Sequence, residues 1–101
     1  MRKDDVIRML QAHASEIRSH GVTALFLYGS AARDEAGEQS DIDLFADVDY
    51  RRFGFVPFMD VREMLADLFG RPVDFTTRRA LQPGLKQQIV ANAVPVFGSF
   101  A

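Results

Sequence analysis

Apolar residues recur along the chain in two alternating rhythms. From residue 5 to 20, Ile7, Leu10, Ala14 and Ile17 fall at helical spacing, Asp4 or Asp5 stands ready to cap the start, and Gly21 ends the run. Residues 22–29, "VTALFLYG", form a compact β-prone stretch between two glycines and predict a buried strand. Residues 30–37 begin with serine and end in glycine, which predicts one or two helical turns with Ser30 as N-cap. Residues 40–48, "SDIDLFADV" after Gln39, predict a second strand. An irregular connection around Gly54 follows.

Pro57 is expected to open a further helix, with Val61, Met64, Leu65 and Leu68 as its buried stripe and Gly70 as its stop. Residues 71–78 predict a short third strand carrying Asp74 between Val73 and Phe75. Pro83 is expected to start a last helix with Leu85, Ile89 and Ala93 inward, and "VPVFGSF" a terminal extended piece. The order predicts an α/β (α+β) fold, a small mixed β-sheet flanked by helices. With 101 residues and no linker or repeat, a single domain over 1–101 is expected.

Composition narrows the partners. Hydrophobic residues make up 48% and charged residues 26%, ordinary for a globular chain. A net charge of −2 leaves no basic excess for an extended nucleic-acid surface. The absence of cysteine removes disulfides, thiolate nucleophiles and zinc–thiolate sites. Residues 1–10 hold basic side chains without an apolar core of signal-peptide length, and no run approaches the ~20 apolar residues of a membrane helix. A cytoplasmic protein is the expectation. His13 and His20, seven apart with no ligand to complete a set, read as ordinary histidines.

The chemistry concentrates in "YGSAARDEAGEQSDIDLF", residues 28–45. In a strand, residues i and i+2 share a face, so Asp41 and Asp43 project together with Cα atoms about 6–7 Å apart, while Ile42 and Leu44 face the core. Standing alone, such a pair is most often a solvated sheet face. A third carboxylate changes the weighing, and Asp74, flanked by apolar residues in its own strand, is the candidate. Three convergent carboxylates without sulfur ligands suit Mg²⁺ or Mn²⁺, and paired ions are the usual arrangement for nucleotidyl transfer.

Gly29 and Ser30, between a strand and a helix start, offer backbone N–H groups and a hydroxyl to a phosphate. On its own this pair reads as a turn with a serine cap. Arg33, one helical turn beyond Ser30, is placed to hold phosphate oxygens, though a lone arginine is more often a solvated charge. Asp34, Glu35 and Glu38 read as a solvated loop, and Asp47 and Asp49 as exposed residues near the strand's end.

The joint motif, apolar strand, Gly-Ser, spacer and "SDIDL", resembles the polymerase-β-like nucleotidyltransferase superfamily. With "GSAAR", "VDF" and "LKQQIVANAVPVF" it resembles the minimal nucleotidyltransferase (MNT) group, from about residue 22 to 97. The resemblance implies transfer of a nucleoside monophosphate, AMP from ATP, with pyrophosphate released. It implies that Gly29 and Ser30 contact phosphates, Arg33 steadies them, and Asp41, Asp43 and Asp74 hold two Mg²⁺ ions. Asp74 would also help to deprotonate the acceptor.

Two departures stand out: family members often carry glycine where this chain has Asp34, and an acid near Asn92. MNT proteins pair with HEPN toxins, so the resemblance implies an antitoxin that adenylylates a hydroxyl of its toxin, in a hetero- or homo-oligomer. The alternatives are a non-catalytic module that neutralises a partner by contact, which the apolar "FGFVPF" suits, and transfer to a small molecule such as an antibiotic. Tyr28 and Tyr50 are the only tyrosines available for self-modification.

Overall fold

The computed structural model describes residues 1–35, 37 and 40–98. The amphipathic N-terminal segment forms two helices, α1 (Lys3–Ala12) and α2 (Ala14–Ser19), rather than one. The break falls at His13, whose φ of −109° and ψ of 12° leave the helical region. Its Nδ1 lies 2.9 Å from the Met9 carbonyl oxygen, a local bond competing with the helix ladder. Arg2 is the N-cap, and Asp5 accepts from the Arg2 backbone N–H at 3.2 Å, so Asp5 helps at the cap from inside the helix. Val6, Leu10 and Ile17 carry the burial.

Strand β1 (Val22–Tyr28) leads into the single-turn helix α3 (Gly29–Ala32). The helix begins at Gly29 with Tyr28 as N-cap, so Ser30 lies inside the first turn rather than capping it. The helical residues stop at Ala32, short of the expected Gly37. Strand β2 (Ile42–Val48) follows. Helix α4 (Phe55–Phe69) starts two residues before Pro57, with Gly54 as N-cap, and ends where Gly70 takes a left-handed φ of 62°. Strand β3 (Val73–Thr77), a 3₁₀ turn (Arg78–Ala80), helix α5 (Pro83–Asn92) and strand β4 (Val94–Gly98) complete the described chain.

The four strands form one mixed sheet in the order β3-β2-β1-β4. β2 pairs parallel with β3, while β1 pairs antiparallel with both β2 and β4. The two strands joined by α4 are the parallel pair, as a crossover requires. Ile42, Leu44 and Ala46 of β2 and Leu25 and Leu27 of β1 join Leu10, Ile17, Val61 and Leu65 in one buried cluster.

Phe45 is also fully buried but belongs to the opposite face. It stacks on Phe26 at 4.8 Å and meets Tyr28 at 5.7 Å between ring centroids. The Arg78 guanidinium covers both phenyl rings, 5.0 Å from Phe26 and 5.2 Å from Phe45. Asp47 fixes that arginine through bonds of 2.6 and 3.0 Å. Asp47 and Asp49 are thus half-buried and paired, with Arg78 and Arg51 respectively, rather than freely exposed.

Helix α5 departs most from expectation. None of its residues is buried, Leu85 is 47% exposed, and Ala93 lies just past its end. No described helix is long and apolar enough to cross a membrane.

Candidate active site

The site is written into the sheet register. Tyr28 of β1 is the partner of Asp43 of β2, and Asp43 is the partner of Asp74 of β3. Register partners share a face, so these three side chains form a row across the sheet opposite the helix-packed core. The sequence placed Asp43 and Asp74 in separate strands, and the parallel β2–β3 ladder brings them side by side. Asp41 lies differently: β2 begins at Ile42, so this residue sits just before the strand and is exposed. The β2–β3 ladder opens with Ile42 against Val73, leaving Asp41 beyond its first pair.

The row is electrostatically unbalanced. Burial pushes the Asp43 carboxyl up, Asp74 and then Asp41 push it further, and Arg33 pulls it back. Tyr28 is pushed up to about 12 by burial and then by Asp74 and Asp43. The neighbouring carboxylates therefore raise the cost of ionising Asp43 and Tyr28.

Gly29 makes the arrangement sterically feasible. It adopts φ 72°, and a Cβ there would overlap the Asp43 carboxylate. Arg33 bonds Glu35 at 2.9 Å in an exposed pair, and the Ser30 carbonyl accepts from the Arg33 and Glu35 backbone N–H groups. A single-turn helix supplies little macrodipole, so Gly29, Ser30 and Arg33 offer local donors more than a helix end.

Asp34 is the only described non-glycine residue with positive φ, at 58°. Its carboxylate accepts from the Lys3 backbone N–H at 2.6 Å. Its charge is thus spent on the start of α1. Glu38 lies outside the described residues.

Two clefts flank the row. A cavity of about 500 Å³ runs between Gly29 and Arg33 on one side and α5 on the other. A second, of about 440 Å³, opens beside Asp41 and Asp74, with Phe58 and Arg62 of α4 on its wall. Sequence reasoning passed over α5 as a site wall, because Leu85 and Ile89 look like core residues at helical spacing. The polar pair Gln88 and Asn92, one turn apart, was the available signal.

The donor set is oxygen-only, and its repelling carboxylates beside a glycine-lined approach fit a hard divalent cation. Among the described residues, however, no three His, Asp or Glu side chains already stand at ligating separation. The fit is one of chemistry and charge.

A mixed sheet presenting neighbouring carboxylates beside a Gly-Ser turn defines a phosphoryl-group transferase of the nucleotidyltransferase type. Residues 14–100 match the family described as Polymerase beta, Nucleotidyltransferase, and the chain belongs to that family. It is 30% identical over 95 residues to the protein adenylyltransferase MntA of Thermococcus cleftensis, covering 92% of this chain and 94% of that one. A solved structure described as a candidate minimal nucleotidyltransferase superposes with a TM-score of 0.81 at 29% identity, over 94% of this chain and 96% of that one. A more distant neighbour, 18% identical with TM-score 0.59, covers 92% of this chain and 73% of its own. It comes from a complex of a tri-AMPylated Shewanella oneidensis HEPN toxin with its MNT antitoxin, and at that identity it speaks for the fold alone.

Proposed function

We propose that this nucleotidyltransferase moves AMP from ATP to a hydroxyl of a protein partner, as the antitoxin of a HEPN-type toxin. The observation that carries the reading is the register pairing of Asp43 with Asp74, with Gly29 set against the Asp43 carboxylate. The adenylyltransferase relative named above supports adenylate as the group and a protein as the acceptor.

In the reaction, the acceptor oxygen bonds to the α-phosphorus of ATP as the bond from that phosphorus to the β-bridging oxygen breaks. Pyrophosphate leaves, and the hydroxyl proton passes to Asp74 at the edge strand, which the open cleft beside it makes reachable. Gly29 and Ser30 bind the β- and γ-phosphates, and Arg33 adds charge to the same end. Asp41, Asp43 and Asp74 would hold two Mg²⁺ ions, which offset triphosphate charge and acidify the attacking hydroxyl.

Incubation with labelled ATP, Mg²⁺ and the co-encoded partner should label that partner and add one or more AMP masses. The double variant Asp41→Ala, Asp43→Ala should lower labelling by about 10²-fold or more. Equal labelling by the double variant would overturn the mechanism.

A second reading has its own observation. In "FGFVPF", Phe53 is buried while Phe55 and Val56 are 76% and 66% exposed, a surface suited to neutralising a partner by contact alone. Under that reading the carboxylate double variant still protects cells from the toxin. Loss of protection with intact binding excludes it.

A further inference from the structure

Helix α5 buries nothing in the core, yet it closes one side of the cavity that begins at Gly29 and Arg33. Its cavity wall has two kinds of residue. Leu85 and Ile89, together with Tyr28 across the gap, offer apolar surface without a core to fill. Gln88 and Asn92, four residues apart and so on one helix face, offer carboxamides. A volume of about 500 Å³ with apolar walls and two amides is the size and chemistry of a nucleoside site.

The amides are not equivalent. Asn92 Nδ2 donates to the Gln88 backbone carbonyl oxygen at 2.9 Å, which orients that carboxamide and leaves Oδ1 as an acceptor. The Gln88 side chain makes no hydrogen bond to another described residue. A free carboxamide pairs with adenine through two bonds, its oxygen accepting from N6 and its nitrogen donating to N7. Guanine presents acceptors at both corresponding atoms, O6 and N7, so the carboxamide oxygen meets an oxygen.

We propose that Gln88 and Asn92 select adenine over guanine in the nucleoside triphosphate. Gln88 makes the paired contact, and Asn92 Oδ1 accepts from the same exocyclic amine. Leu85 and Ile89 cover the base. This assignment rests on the triphosphate lying across Gly29 and Arg33, as proposed above, and is independent of the acceptor.

The test is equilibrium binding to the full chain, with Mg²⁺, of three probes: non-hydrolysable ATP and GTP analogues and inorganic tripolyphosphate. The wild type should bind the ATP analogue about tenfold tighter than the GTP analogue or better. Gln88→Leu and Asn92→Leu, both at exposed positions, should each weaken the ATP analogue, Gln88→Leu by about tenfold, and bring the ATP-to-GTP ratio toward one. Tripolyphosphate binding and circular dichroism should not change.

Equal binding of both analogues by the wild type overturns the proposal, and so does an undiminished adenine preference in the variants. A variant that also loses tripolyphosphate has lost the cavity rather than a base contact, and counts against it equally. Adenine preference without any protein labelling would leave this inference standing and sink the adenylylation reading. Equal labelling from ATP and GTP would do the reverse.

Discussion

Single residues set the terms of this site, and Gly29 is the clearest. Its left-handed φ costs an L-residue about 1–2 kcal/mol, and an added Cβ would also displace the Asp43 carboxylate. Gly29→Ala should therefore destabilise the chain by about that amount in urea titration and lower transfer by about 10²-fold, the scale of a small misplacement of a reacting group. Asp43 carries the opposite tension. Because its carboxyl is pushed up in the fold, the stability it contributes is fully present in acid and is lost as pH rises through its raised native value. At neutral pH the ionised group costs the fold free energy. Asp43→Asn should thus raise the melting temperature of the metal-free chain near pH 7, with the gap from wild type closing in acid, while abolishing transfer. Added Mg²⁺ should raise the melting temperature of the wild type more than that of the variant. Asp34 explains a departure from the family pattern: it holds a conformation that glycine adopts freely, and its bond to Lys3 offsets the strain.

At the scale of elements, β2 works on both faces. Ile42 and Leu44 enter the helix-packed core, while Asp43, Phe45 and Asp47 build the other side. The Arg78 cover over Phe26 and Phe45 is the least expected part of that side. Its pair with Asp47 is about one-third exposed on each partner, so the ionic term is screened and contributes at most about 1 kcal/mol. The ring contacts add a similar amount. Arg78→Ala should cost about 1–2 kcal/mol by urea unfolding, weakly dependent on salt. Lys at this position should recover only part, because an ammonium cannot fork onto the carboxylate.

At the scale of the whole molecule, apolar surfaces stay uncovered among the described residues at the start of α4 and along α5. They differ in consequence from buried neighbours of the same type. Phe55→Ser with Val56→Ser should shift stability by no more than about 0.5 kcal/mol, since both side chains already face water. Phe53→Ser, whose ring packs against Phe58 and Phe75, should cost about 3 kcal/mol or more. Chemical denaturation of the two variants measures the contrast directly. Impaired neutralisation of the proposed toxin partner by the first variant, with its stability intact, would locate the partner surface on α4.

Much of this protein was legible in the chain. Strand positions, the Gly70 and Gly21 stops and the turn at Gly29 followed from local rules, since periodicity and backbone preference act within a few residues. The resemblance to the nucleotidyltransferases carried by "GSAAR" and "SDIDL" is borne out by the family match over residues 14–100. Only tertiary structure set Tyr28, Asp43 and Asp74 in one row, because strand order and register depend on pairing between residues 15 and 31 positions apart. It also turned α5 from a core helix into a cavity wall. The same Leu85 and Ile89 pattern serves either role, and only the sheet's geometry decides which surface is left for them to face.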